Sequence, residues 1–121
     1  MNSYKISIKL RVKPANEVKR VAILGAGPAG IVSAKYALEN GFVPVVFDKK
    51  SLPGGLWSSG TAIWEDMHSN SSRYSVMFSD FGWPDKASII PSAKDVFNYL
   101  ISYIEHFKIG KLVKYYKITL I

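Results

Sequence analysis

A short apolar run, a glycine turn, a helical stretch, a second apolar run and an acid follow one another between Val21 and Asp48. Few folds accept that order. Residues 21–24 are continuously apolar and bounded by Arg20 and Gly25, the pattern of a central parallel strand covered on both faces. From Pro28 the spacing turns helical. Ile31, Ala34 and Leu38 share one face, and Asn40 with Gly41 supplies a carboxyl-terminal stop. Residues 43–47 form the second strand, closed by Asp48. The expected fold class is therefore α/β, a Rossmann-like βαβ unit on a parallel sheet.

The turn between the first strand and the helix reads Gly25-Ala26-Gly27-Pro28-Ala29-Gly30, a G-x-G-x-x-G. Gly25 permits the tight turn, Gly27 lets the backbone approach a pyrophosphate, and Gly30 allows the helix to pack closely on the sheet. Ala34 keeps that contact close one turn later. Pro28 lacks an amide hydrogen that the first helical turn would leave unpaired, so it suits the helix start. The remaining amides and the positive end of the helix dipole face the phosphates. Asp48 follows Gly25 at about the 20-residue distance at which an acid accepts from ribose hydroxyls, and its charge would repel a 2′-phosphate. Glycine turns are common, and an acid beside Lys49 and Lys50 could simply cap a turn. Strand, turn, helix and acid in one order favour the dinucleotide reading.

The rest of the chain is less regular. Residues 4–13 alternate, with Tyr4, Ile6, Ile8, Leu10 and Val12 opposite Lys5, Ser7, Lys9, Arg11 and Lys13, which predicts a strand. Its lesser alternative is an organellar import segment, which would be arginine- and serine-rich at helical period. Residues 51–85 are rich in Gly, Ser, Trp and Phe without a period and predict functional loops. Ser92 with Asp95 three residues on predicts a helix start. Val96, Leu100, Ile101, Ile104 and Phe107 form its apolar stripe, ending near Gly110. Tyr116, Ile118 and Leu120 alternate with Lys117 and Thr119 as a third strand. Residues 1–19 are thus a basic extension, and residues 20–121 the first part of a dinucleotide-binding domain whose sheet is incomplete.

Several functions are excluded by what the 121 residues lack. There is no cysteine, so disulfides, thiolate nucleophiles and Cys-based metal sites are ruled out. The net charge of +7 could attract nucleic acid, but no recognition motif accompanies it, and solvated lysines explain it. No apolar run approaches the roughly 18 residues needed to span a bilayer. A soluble, cytoplasmic chain is expected. His68 and His106 form no ligand cluster, and Glu65 and Asp66 beside His68 make poor metal geometry.

Four blocks in order, GAGPAG at Gly25, VVFDKK ending at Lys50, GGLW from Gly54 and SNSSRYSVMFSDFGWP from Ser69, resemble the flavin-containing monooxygenases. The resemblance implies FAD as cofactor and NADPH as reductant, with oxygen and a small soft nitrogen or sulfur nucleophile as the other reactants. By position, residues 25–30 would hold the pyrophosphate and Asp48 the ribose. Gly55, Leu56 and Trp57 would line the cofactor, and Ser69 and Asn70 would approach the flavin ring, with Asn70 in the catalytic role. Family members carry Glu where Asp48 stands, and the basic residues before Arg20 have no counterpart. The chain shows no second glycine fingerprint, so the NADPH site would lie outside it, and the chain alone is expected to be inactive. Another FAD enzyme of amine oxidase or Baeyer–Villiger type, or a non-catalytic nucleotide-binding remnant, are the alternatives.

Overall fold

The computed structural model describes residues 18–58 and 63–115, and the strand expected over residues 4–13 and the alternation at Tyr116, Ile118 and Leu120 lie outside them. Strand β1 (Arg20–Leu24) leads through the glycine turn into helix α1 (Pro28–Glu39) and strand β2 (Val43–Asp48). A one-turn 3-10 helix (Gly55–Trp57) and a long irregular segment precede helix α2 (Ala93–His106). A second 3-10 turn (Gly110–Leu112) delivers strand β3 (Val113–Tyr115). The strands lie in the order β1-β2-β3, all parallel, with Arg20 opposite Val43 and Val46 opposite Val113. Parallel neighbours need crossovers, which α1 and then the α2 segment supply. The expected α/β, Rossmann-like unit is present.

One strand sits differently from expectation. The continuous apolar run predicts a central strand covered on both faces, but among the described residues β1 is an edge and β2 is central. Arg20, Ala22 and Leu24 are exposed, and only Val21 and Ile23 turn toward the protein. An unbroken apolar run reports low polarity, but it does not report how many neighbours the strand has.

Helix α1 meets the sheet through small residues. Ala34 packs with Ala26, Val46 and Val113 in one apolar cluster, with Ile23 against it. Ile31 is buried as expected, yet Leu38 is exposed and Lys35 is buried instead. The inward face of the helix is therefore wider than the sheet contact alone and runs round toward α2. Asn40 closes the helix, its backbone amide and its side-chain amide both donating to the Tyr36 carbonyl.

Helix α2 starts at a complete capping box. Ser92 Oγ accepts from the Asp95 amide at 3.1 Å, and Asp95 Oδ2 accepts from the Ser92 amide at 2.9 Å. These hydrogen bonds from Ser92 hold the Asp95 carboxyl below its ordinary value of 3.8. The pair thus contributes stability above that pH, which is lost as pH falls through the lowered value. Val96, Leu100 and Ile104 are buried as the stripe predicted, joined by Tyr99 and Tyr103. The helix stops at His106 rather than near Gly110. Lys108 takes the left-handed conformation, with φ 56°, and turns Ile109 back into the core.

The irregular segment before α2 is held by side chains rather than by ladders. Tyr99 Oη donates to the Phe81 carbonyl at 2.6 Å and accepts from the Phe78 amide at 2.8 Å. Burial pushes its pKa up, so the donor proton is retained at neutral pH. Arg73 Nη1 donates to the carbonyls of Pro84 and Ala87 at 3.0 and 2.8 Å. His106 packs between the rings of Phe81 and Phe107. Backbone groups that no strand satisfies thereby find partners.

Candidate functional site

The glycine turn folds tightly against the ends of both first strands. Gly25 adopts φ 100° and its amide donates to the Phe47 carbonyl at 2.7 Å. A Cβ at Gly30 would lie 1.8 Å from the Gly25 carbonyl oxygen and 3.5 Å from Ile23 Cγ2. The third glycine therefore clears the turn's own backbone first and the sheet second, a tighter constraint than the helix-to-sheet packing expected of it.

The amino ends of α1 and α2 are finished in opposite ways. At α2 the Ser92 hydroxyl accepts from the first-turn Asp95 amide, and the Asp95 carboxylate accepts from the N-cap amide of Ser92. At α1 the N-cap is Gly27, Pro28 follows it, and the first turn holds no acidic residue and no side-chain cap. First-turn amides have no intrahelical acceptor, so this end is suited to an external anion.

A second glycine turn is stitched onto the first. The Gly54 amide donates to the Ala26 carbonyl at 2.8 Å, and a Cβ at Gly55 would stand 3.0 Å from Gly27 Cα. Asp48, buried at the end of β2, accepts from the Ala26 amide through Oδ2 at 2.7 Å and from the Lys50 amide through Oδ1 at 2.8 Å. Lys50 Nζ then donates to the Gly55 carbonyl at 3.0 Å. The acid expected to face a ribose is thus also a brace of the turn, and each oxygen keeps a second lone pair for a hydroxyl donor. Lys50 was not singled out in the sequence, where only its place beside Asp48 marked it.

Beside these turns lies a cavity of about 310 Å³. Pro28, Trp57 and Ser69, from three separate segments, line it with Met77, Phe78 and Leu100. Ser69 is buried, its Oγ accepting from the Ser71 amide at 3.1 Å. Asn70 next to it is exposed and is not among the lining residues. Ala29 and Leu56 are exposed as well. Trp57 in this lining is among the residues singled out by the resemblance, whereas Met77 and Phe78 lie in a matched block but, in a stretch with no period, nothing local marks them as a cavity wall. A larger cavity of about 460 Å³, between Phe81, Trp83 and Asn98, includes none of the turn residues. Among the described residues no group of three His, Asp or Glu side chains could hold a metal ion, and no helix is long and apolar enough to cross a membrane.

The sequence profile of flavin-binding monooxygenase-like proteins matches residues 18–121. The chain belongs to this family. It is 38% identical over 97 residues to a putative flavin-containing monooxygenase 2 of Arabidopsis thaliana, covering 79% of this chain and 20% of that protein. Against human flavin-containing monooxygenase 3 the identity is 31% over 104 residues, 80% of this chain and 20% of the relative. Among solved structures, S-allyl-L-cysteine S-oxygenase from Allium sativum superposes with a TM-score of 0.72 at 22% identity, over 81% of this chain and 28% of the other. That likeness concerns the fold. The chain spans about a fifth of the length of the curated relatives it matches.

For a flavin-binding monooxygenase-like chain the residues present fit a dinucleotide. The bare helix end and a cavity adjoining Pro28 leave room where pyrophosphate and ring would lie, and the missing Cβ atoms at Gly27 and Gly55 let the two turns that frame it pack backbone to backbone.

Proposed function

We propose that this chain forms the FAD-binding part of an NADPH-dependent monooxygenase that oxygenates small, soft nitrogen or sulfur nucleophiles. The single observation that carries the reading is the uncapped, acid-free start of α1 behind a G-x-G-x-x-G turn, while α2 starts at a complete capping box. Bound FAD would supply the electron transfer and oxygen activation. The protein's own part is binding and orientation. The amides of Gly27, Ala29 and Gly30 take the pyrophosphate, with Gly25, Ala26 and Pro28 shaping the turn, and Asp48 accepts from the adenosine ribose. Gly55, Leu56 and Trp57 flank the cofactor, and Ser69 sits at the ring cavity. Asn70 is the residue assigned to hydrogen-bond the flavin edge, and NADPH is met by parts of the protein other than this glycine turn. Titrating the chain with FAD and with FMN, by quenching of flavin fluorescence, tests this. FAD should bind at least about tenfold more tightly, because FMN lacks the pyrophosphate and adenosine. Equal affinities, or no binding of FAD, would reject the reading.

A further inference from the structure

Lys35 is the most thoroughly covered cation among the described residues, 5% exposed on the inner face of α1. Its ammonium lies 2.5 Å from Asp80 Oδ2 and 2.7 Å from Glu39 Oε1, and 4.0 and 4.9 Å from the ring centres of Tyr36 and Phe107. Burial by itself would lower the pKa of this ammonium, but the hydrogen bonds to Asp80 and Glu39 outweigh it and hold the group above the ordinary lysine range. Covering an ammonium is costly, and a helix does not need one there. Glu39 is on the same helix and half exposed, so that pair adds little. Asp80 is the informative partner.

Asp80 belongs to a tight turn in which the Phe81 amide donates to the Phe78 carbonyl at 3.2 Å. Phe78 packs on Tyr103, with ring centres 4.6 Å apart, and forms a wall of the cavity beside the glycine turns. Pro28, at the other end of the same helix, lines that cavity too. One helix therefore presents the amides proposed to face the phosphates at its start and, two turns later, the cation that holds the turn carrying Phe78 of the same cavity. We infer that Lys35 is a positioning residue: through Asp80 it sets the Phe78 wall relative to the glycine turn, and so governs how the flavin ring is held rather than the ADP half.

This inference rests on the flavin reading above, and comparing two ligands separates them. Lys35→Met keeps the stem packed and removes the charge, leaving Asp80 partly in solvent. Asp80→Asn keeps the shape and weakens the link from the other side. In the full chain, dissociation constants for FAD and for ADP are measured by calorimetry for wild type and both variants, with a thermal melt of each. ADP affinity is expected to stay within about twofold, as for an uncoupled site. The preference for FAD over ADP is expected to fall about tenfold, as when a contacting wall moves by a fraction of an ångström to an ångström. An unchanged preference in a folded variant overturns the inference. So does a parallel loss of both ligands, or unfolding of both variants, since each assigns the pair to stability alone. A wild-type chain that binds neither ligand, or gains nothing from the flavin, rejects the cofactor reading itself.

Discussion

Gly30→Ala is expected to abolish flavin binding although it adds a single methyl group. The new Cβ would stand 1.8 Å from the Gly25 carbonyl oxygen and 2.9 Å from its carbonyl carbon. Both are backbone atoms of the turn, so no side chain can swing aside to relieve the clash. Gly25 is itself fixed, by φ 100° and by the hydrogen bond its amide donates to the Phe47 carbonyl. Either the helix lifts off β1 or the turn opens, and each outcome moves the Gly27 backbone that is proposed to meet the pyrophosphate. Overpacking of this kind costs about 3 kcal/mol, more than a hundredfold in affinity. Gly82→Ala is the matched control, because a Cβ there meets nothing within 4 Å. Flavin titration and melting of both proteins check the expectation, which fails if Gly30→Ala binds FAD like wild type.

The second large effect is expected at Asp48. In Asp48→Ala the buried Ala26 amide loses its acceptor at 2.7 Å and the Lys50 amide loses its own at 2.8 Å. Lys50 is then less constrained to hold the Gly55 carbonyl, so the two glycine turns loosen together. Losing one charge-assisted hydrogen bond costs about 1.5 to 3 kcal/mol, or roughly ten- to a hundredfold in affinity. The ribose contact proposed for the same carboxylate would add to this. Asp48→Asn keeps the shape and one acceptor oxygen and should lose less. Calorimetric titration with ADP, which carries the ribose and the pyrophosphate without the flavin, isolates the effect, and equal affinity for wild type and Asp48→Ala would remove Asp48 from the site.

The parts of the molecule legible in its sequence are those specified locally. The βαβ unit could be read because an apolar run, a glycine turn and a helical period succeed one another within a few residues, and α2 because Ser92 and Asp95 are a self-contained cap. Features that depend on distant partners were not legible. Leu38 was placed inward by periodicity, whereas the buried position went to Lys35, whose partner Asp80 belongs to a loop with no period at all. Tyr99 and Tyr103 became core because Phe78 and Phe81 fold back on them, a contact between segments that share no local signal. The apolar stripe carries the expected end of α2 on to near Gly110, but the helix ends at His106 and Lys108 makes the turn. Of the candidate site, Gly25, Gly27, Gly30 and Asp48 are marked by their spacing and Gly55 by the resemblance, whereas the contacts of Lys50 and the Phe78 wall depend on how the chain folds.

The bare start of α1 and the two glycine turns are proposed to form one dinucleotide-phosphate site. Backbone amide chemical shifts of the isotope-labelled chain, followed while ADP is added, test it most directly. Saturable shifts are expected, largest at Gly27, Ala29, Gly30 and Gly55, with the Asp95 and Val96 amides at the capped end of α2 unmoved. Shifts centred on α2, or no saturable change at the glycine turns, would contradict it.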